Sequence, residues 1–125
     1  MSDLTYLKEK ANNYNVLIVE DSMHIQKQMK SFLVKLFKEV YLAENGLVGL
    51  DVFKKNKINI VLTDLIMPEM DGCHFIEELL KISPKSKIII ISAHGYEENV
   101  IKFKNMGVVG FIQKPVDFKF LVKSL

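Results

Sequence analysis

Val16-Leu17-Ile18-Val19-Glu20-Asp21 sets four apolar residues directly before two carboxylates. An exposed antiparallel strand would alternate apolar and polar side chains, whereas a strand covered by helices on both faces stays apolar throughout. The run therefore reads as a buried parallel strand with an acidic carboxyl end. Four more runs of strand length follow: Val40 to Ala43, Ile58 to Leu62, Ile88 to Ile91 and Val108 to Ile112. Three of the five are nearly continuous in Val, Ile and Leu.

Helical patterns fill the spaces between them. Ile25, Met29, Phe32, Leu33 and Leu36 keep the spacing of one helix face, as do Ile76, Leu79 and Leu80. Asn45-Gly46 opens a shorter helix through Leu47, Leu50 and Phe53, and Gly107 stands where a left-handed cap would end a helix beginning near Tyr96. After Pro115, Asp117 can cap a last helix carrying Phe118, Leu121, Val122 and Leu125. The predicted order is βα repeated five times. Right-handed crossovers wind such a chain into an α/β fold, a doubly wound five-stranded parallel sheet with helices on both faces. An eightfold barrel would need more strands. Residues 1–14 read as a polar leader, either a short extra helix or loose, ahead of one domain over 15–125.

A chain of 125 residues suits that single domain, and its 49% hydrophobic and 26% charged content is that of an ordinary folded protein. The 17 basic and 15 acidic residues nearly balance, with the lysines spread along the chain, so direct nucleic-acid binding gains no support. Cys73 is the only cysteine, which excludes an internal disulfide and fits a reducing, cytoplasmic setting. No apolar run approaches the roughly 18 to 20 residues of a membrane span, and Met1 to Tyr14 is too polar for a signal peptide.

Ligands of an open parallel sheet bind at the carboxyl ends of its strands. The residues just beyond the predicted strands are polar: Glu20 and Asp21 after the first, Asp64 after the third, Ser92 after the fourth and Lys114 after the fifth. Three carboxylates in one crevice repel one another, and a hard divalent cation relieves the conflict. Mg²⁺ takes such oxygen ligands and keeps positions open for phosphate oxygens. Asp64 can then act as a nucleophile toward a phosphoryl group. The cation lies on one side, the Lys114 ammonium on the other, and the Ser92 hydroxyl donates to a remaining oxygen.

From Asn15 to Leu125 the sequence resembles the response-regulator receiver family of two-component signalling. The resemblance rests on Val16 to Asp21, Asp64-Leu65-Ile66-Met67-Pro68-Glu69-Met70-Asp71-Gly72, Ile91-Ser92-Ala93-His94 and Phe111-Ile112-Gln113-Lys114-Pro115, in the family's order and spacing. It implies the strand order 2-1-3-4-5 and phosphorylation of Asp64 with Mg²⁺ or Mn²⁺ bound. Asp21 and Asp64 would be direct ligands, Glu20 would act mainly through a bound water, and the Ile66 carbonyl would complete the protein ligands. It further implies a switch in which Ser92 and the aromatic Phe111 move together, reshaping the face of the fourth helix, fifth strand and fifth helix. The expected donor is a histidine kinase or phosphotransfer protein, and the expected reader is an output protein or an attached output domain. The chain would be a monomer or a phosphorylation-dependent dimer, and would catalyse only its own phosphorylation and dephosphorylation. Phe111 lacks a tyrosine hydroxyl, which predicts looser coupling of its rotamer to phosphorylation. Ile66 and His94 would flank the phosphoryl group's open side and tune its lifetime.

Taken singly, each feature has a plainer reading: an acidic pair as a solvated turn, Asp64 and Ser92 as helix caps, Lys114 as a surface residue. Their joint placement at four strand ends is what favours a site. His24 is expected on an exposed part of the first helix, the methionines as core or loop filling, and Cys73 as a thiol with no base partner. Three rivals differ in stated residues. An aspartyl phosphatase of the dehalogenase type wants an acid two residues after its nucleophile, where this chain has Ile66. A flavin or nucleotide module wants a phosphate loop where this chain has Glu20-Asp21-Ser22. A receiver-like interaction module that is never phosphorylated would not need the full acidic set with Lys114.

Overall fold

The computed structural model describes residues 12–65, 72–92 and 102–113. Five parallel strands, β1 (Asn15–Val19), β2 (Glu39–Ala43), β3 (Ile60–Thr63), β4 (Lys87–Ser92) and β5 (Gly110–Gln113), form one sheet in the order β2-β1-β3-β4-β5. Helices α1 (Met23–Leu33), α2 (Gly46–Lys55) and α3 (Gly72–Ile82) and a helical stretch at 102–106 supply the crossovers. This is the doubly wound sheet that the apolar runs predict. The leader up to residue 11, the expected helix start near Tyr96 and the expected last helix lie outside the described residues.

Both faces of the sheet are covered, and the odd and even positions of β1 serve different cores. Val16 and Ile18 pack with Met29 and Leu33 of α1 and with Ile89, Ile91 and Ile112. Leu17 and Val19 pack with Leu50, Phe75, Ile76 and Leu79 from α2 and α3. Two of the helices begin where a polar side chain accepts an otherwise unpaired N–H. Ser22 Oγ accepts from Ile25 N at 3.3 Å to start α1, and Asn45 Oδ1 accepts from Val48 N at 2.9 Å to start α2. Gly107 takes φ 108°, the left-handed cap expected of it, as its N–H bonds back to Lys104 O at 3.1 Å.

Several predicted boundaries move, each for a local reason. β5 begins at Gly110 instead of Val108 because the Val108 N–H closes the preceding helix on Phe103 O at 3.0 Å. β3 begins at Ile60 instead of Ile58, since Asn59 ties down the strand's entry: its N–H donates to Asn15 O at 2.9 Å and its Oδ1 accepts from Asn15 N at 2.8 Å. α1 ends at Leu33, not at Leu36. The chain tightens into a turn through the Leu36 and Phe37 N–H bonds to Leu33 O, both at 3.0 Å, and still buries both side chains. On α2, Leu47 is half exposed. The buried face is Gly46, Gly49 and Leu50, because the missing side chain of Gly49 lets the helix close on Phe75 and Val19.

Among the described residues no helix is long and apolar enough to cross a membrane.

Candidate functional site

The parallel register sets the acidic residues side by side. Val19 pairs with Thr63, so the residues that follow, Glu20 and Asp64, leave adjacent strands at the same height. Asp64 N donates to Val19 O at 3.0 Å and Glu20 N to Ala43 O at 3.0 Å, which carries the sheet's hydrogen bonding to the rim of the crevice. Carboxylate oxygens of Glu20, Asp21 and Asp64 all come within 4.8 Å of one another. That spacing is close to the span of a Mg²⁺ shell, whose oxygens about 2.1 Å from the ion lie up to about 4.2 Å apart. Glu20 and Asp64 are buried while Asp21 is exposed, so the cluster is open to solvent on one side. A hard donor set of this kind fits a small divalent cation.

Asp64 is held by its own neighbourhood. Its Oδ1 accepts from Leu65 N at 2.7 Å, which orients the carboxylate, and its carbonyl accepts from Thr63 Oγ1 at 2.9 Å. The chain returns to it at the start of α3, where Gly72 N donates to Leu65 O at 2.7 Å. Gly72 lies so close that a Cβ there would overlap Asp64 O and sit 2.6 Å from Leu65 Cα. Glycine is required here by contact with backbone.

The other predicted residues are placed unevenly. Ser92 ends β4, two residues past Ile90, which pairs with Thr63, and so its backbone lies at the same edge of the sheet. Phe111 of β5 pairs with Ile90 of β4 and is half buried, its ring 6.2 Å from that of Phe103 at an interplanar angle of 52°. Ile66, His94 and Lys114 lie outside the described residues. His24 is exposed, as expected. Cys73 departs from expectation: one turn of α3 brings Glu77 Oε1 to 3.7 Å from its Sγ, which also accepts from Lys102 Nζ at 3.5 Å.

Two participants escape sequence reading. Gly72 was visible only as part of a motif, since no periodicity reveals a close approach to a residue eight positions earlier. Gln26 sits among polar α1 residues yet is 3% exposed, and its amide reaches back to the end of β1. A glutamine one turn past an N-cap carries no signal of that reach.

Comparisons with known proteins agree with this fold. The family model described as response regulator receiver domain matches residues 16–125. The chain is 38% identical over 111 residues to the chemotaxis protein CheY of Thermotoga maritima, covering 88% of this chain and 92% of that protein. It is 35% identical over 115 residues to the probable transcriptional regulator ycf29 of Porphyra purpurea, covering 90% of this chain but spanning only 55% of that relative's length. Among solved structures, a chain of the CheX-CheY-BeF3-Mg²⁺ complex from Borrelia burgdorferi superposes with a TM-score of 0.86 at 29% identity, covering 98% of this chain and 95% of that one. A family match across nearly the whole domain, relatives above 30% identity and the shared sheet order place the chain in the response regulator receiver domain family.

Proposed function

We propose that the chain is a phosphorylation-dependent switch in which Asp64 accepts a phosphoryl group from a histidine kinase or phosphotransfer protein. The observation that carries this reading is the gathering of the Glu20, Asp21 and Asp64 carboxylates within 4.8 Å at the carboxyl edge of the sheet. The Borrelia relative's assembly with BeF3 and Mg²⁺ supports it. A bound Mg²⁺ or Mn²⁺ would neutralise the carboxylates and draw charge from the oxygens of the transferred group. Glu20, Asp21 and Asp64 would hold it, with the Ile66 carbonyl. The Asp64 carboxylate attacks phosphorus in line, the bond to the donor breaks, and an acyl phosphate remains. Lys114 would pair with the phosphoryl oxygens, and Ser92 would donate a hydrogen bond to one of them.

The output follows from the two-state character of such a domain. Phosphorylation shifts the balance only as far as it interacts differently with the two states. Ser92 and Phe111 would report it to the face of the fourth helix, fifth strand and fifth helix, read by an output protein or attached domain. We place the reaction in the cytoplasm, in a monomer or a phosphorylation-dependent dimer, over residues 15–125 with 1–14 as leader.

The test is direct. Incubated with a small acyl phosphate, the protein should gain one phosphoryl mass with Mg²⁺ and none without, and Asp64→Asn should gain none. An adduct that persists in Asp64→Asn would reject the assignment.

The lifetime of that adduct is a separate expectation. An apolar Ile66 orients an attacking water poorly, so Ile66→Asn should speed loss of the phosphoryl group severalfold, with His94 supplying part of what Ile66 lacks. A decay followed by mass spectrometry that is the same in both proteins would remove Ile66 from this role.

A further inference from the structure

We infer that Gln26 is a positioning residue for the cation pocket, an inference that rests on the metal reading above. Gln26 stands on α1, one turn beyond the N-cap Ser22, and its backbone N–H is used by Ser22 O at 2.9 Å. Its side chain is 3% exposed and points back under the acidic loop. There Nε2 donates twice, to Glu20 O at 2.5 Å and to Ala43 O at 3.1 Å. Ala43 O already accepts the Glu20 N–H at 3.0 Å, so one glutamine amide joins the ends of β1 and β2 just where the sheet's own ladder stops.

That position gives the bonds a consequence beyond stability. The Glu20 carbonyl belongs to the peptide that links Glu20 to Asp21, the two acidic residues that face Asp64. Fixing this carbonyl fixes the plane of the peptide and hence the directions in which the two side chains leave the backbone. Ser22 N donates to Glu20 Oε2 at 3.4 Å, which restrains the loop from its other end. Asp64 is anchored independently through Val19 O. Gln26 thus governs one half of the pocket's geometry without touching the cation.

Gln26→Met keeps the length and removes both donors; Gln26→Asn keeps the amide but falls a methylene short. Isothermal titration of the full chain with Mg²⁺ should give a Kd weakened about tenfold in each, the usual scale for partners that orient ligands. Leu33→Ala, a cavity at the far end of the same helix, should lower the unfolding temperature measured without metal at least as much, yet bind Mg²⁺ as the wild type does. If Gln26→Met does not fold, Gln26→Asn carries the comparison. An unchanged Kd in the Gln26 variants, or an equal loss in Leu33→Ala, would overturn the inference. Absence of Mg²⁺ binding by the wild type would instead remove the metal reading, and this inference with it.

Discussion

Gly72→Ala should nearly abolish phosphoryl uptake while leaving most of the sheet folded. The added methyl overlaps Asp64 O and lies 2.6 Å from Leu65 Cα and 3.0 Å from Asp64 C, all of them backbone atoms that no rotamer change can clear. Alanine would gain about 1 kcal/mol of helix propensity over glycine, but forcing an extra methyl into a packed site costs typically about 1–3 kcal/mol, and more against backbone. Relief comes only by moving α3 away or by pushing Asp64 out of line. The second route displaces the nucleophile, and a misplacement on the order of 1 Å lowers rates on the order of 100-fold. Adduct formation with an acyl phosphate measures the rate, and urea unfolding measures the stability. Wild-type values in both would mean that the contact is not as tight as described.

The second large effect is on folding. Phe75→Ala should destabilise the chain by about 3–5 kcal/mol, as large aromatic deletions in cores do. Phe75 is fully buried on the α2–α3 face, packed with Val19, Leu50 and Leu79, and where its ring comes against Gly49 of α2 there is no side chain to lean into the vacated space. Against total stabilities of about 5–15 kcal/mol this is a large share. A thermal melt should fall by more than about 10 °C. The same geometry gives a companion result: Gly49→Ala, whose Cβ would meet Phe75 Cε1 and Val19 Cγ2 at 3.0 Å, should cost less in the Phe75→Ala background than in the wild type. Additive losses in the double variant would show that the two residues do not share one space.

The parts of this molecule that could be read from sequence are those set by chemistry repeated along the chain. The continuous apolar content of β1, β3 and β4 requires burial on both faces, and burial on both faces requires helices between parallel strands. Glu20, Asp21 and Asp64 were legible for a related reason, since the ends of such strands converge and charged groups there need a purpose. What escaped reading depends on single contacts. Leu47 shares the apolar spacing of Leu50 and Phe53, yet the close approach at Gly49 leaves it half exposed. Val108 looked like strand until its N–H was spent on the helix before it. Gln26 carries no periodic signal, and only the three-dimensional path of α1 shows its amide beneath Glu20.

The pair Asn15 and Asn59 has a bearing on how the sheet finds its alignment. Where one face of a strand is polar, sliding by one residue exposes apolar groups and is penalised. In β1 and β3 nearly every side chain is buried, so a slip would merely exchange one greasy surface for another. The asparagines supply the missing index mark. Asn15 gives its N–H to Asn59 Oδ1 and its Nδ2 to Lys57 O at 2.7 Å, bonds that exist in only one alignment of the two strands. The amino edge thus sets the count of residues along two featureless strands, and Glu20 and Asp64 arrive level at the opposite edge because two amides were matched at this one.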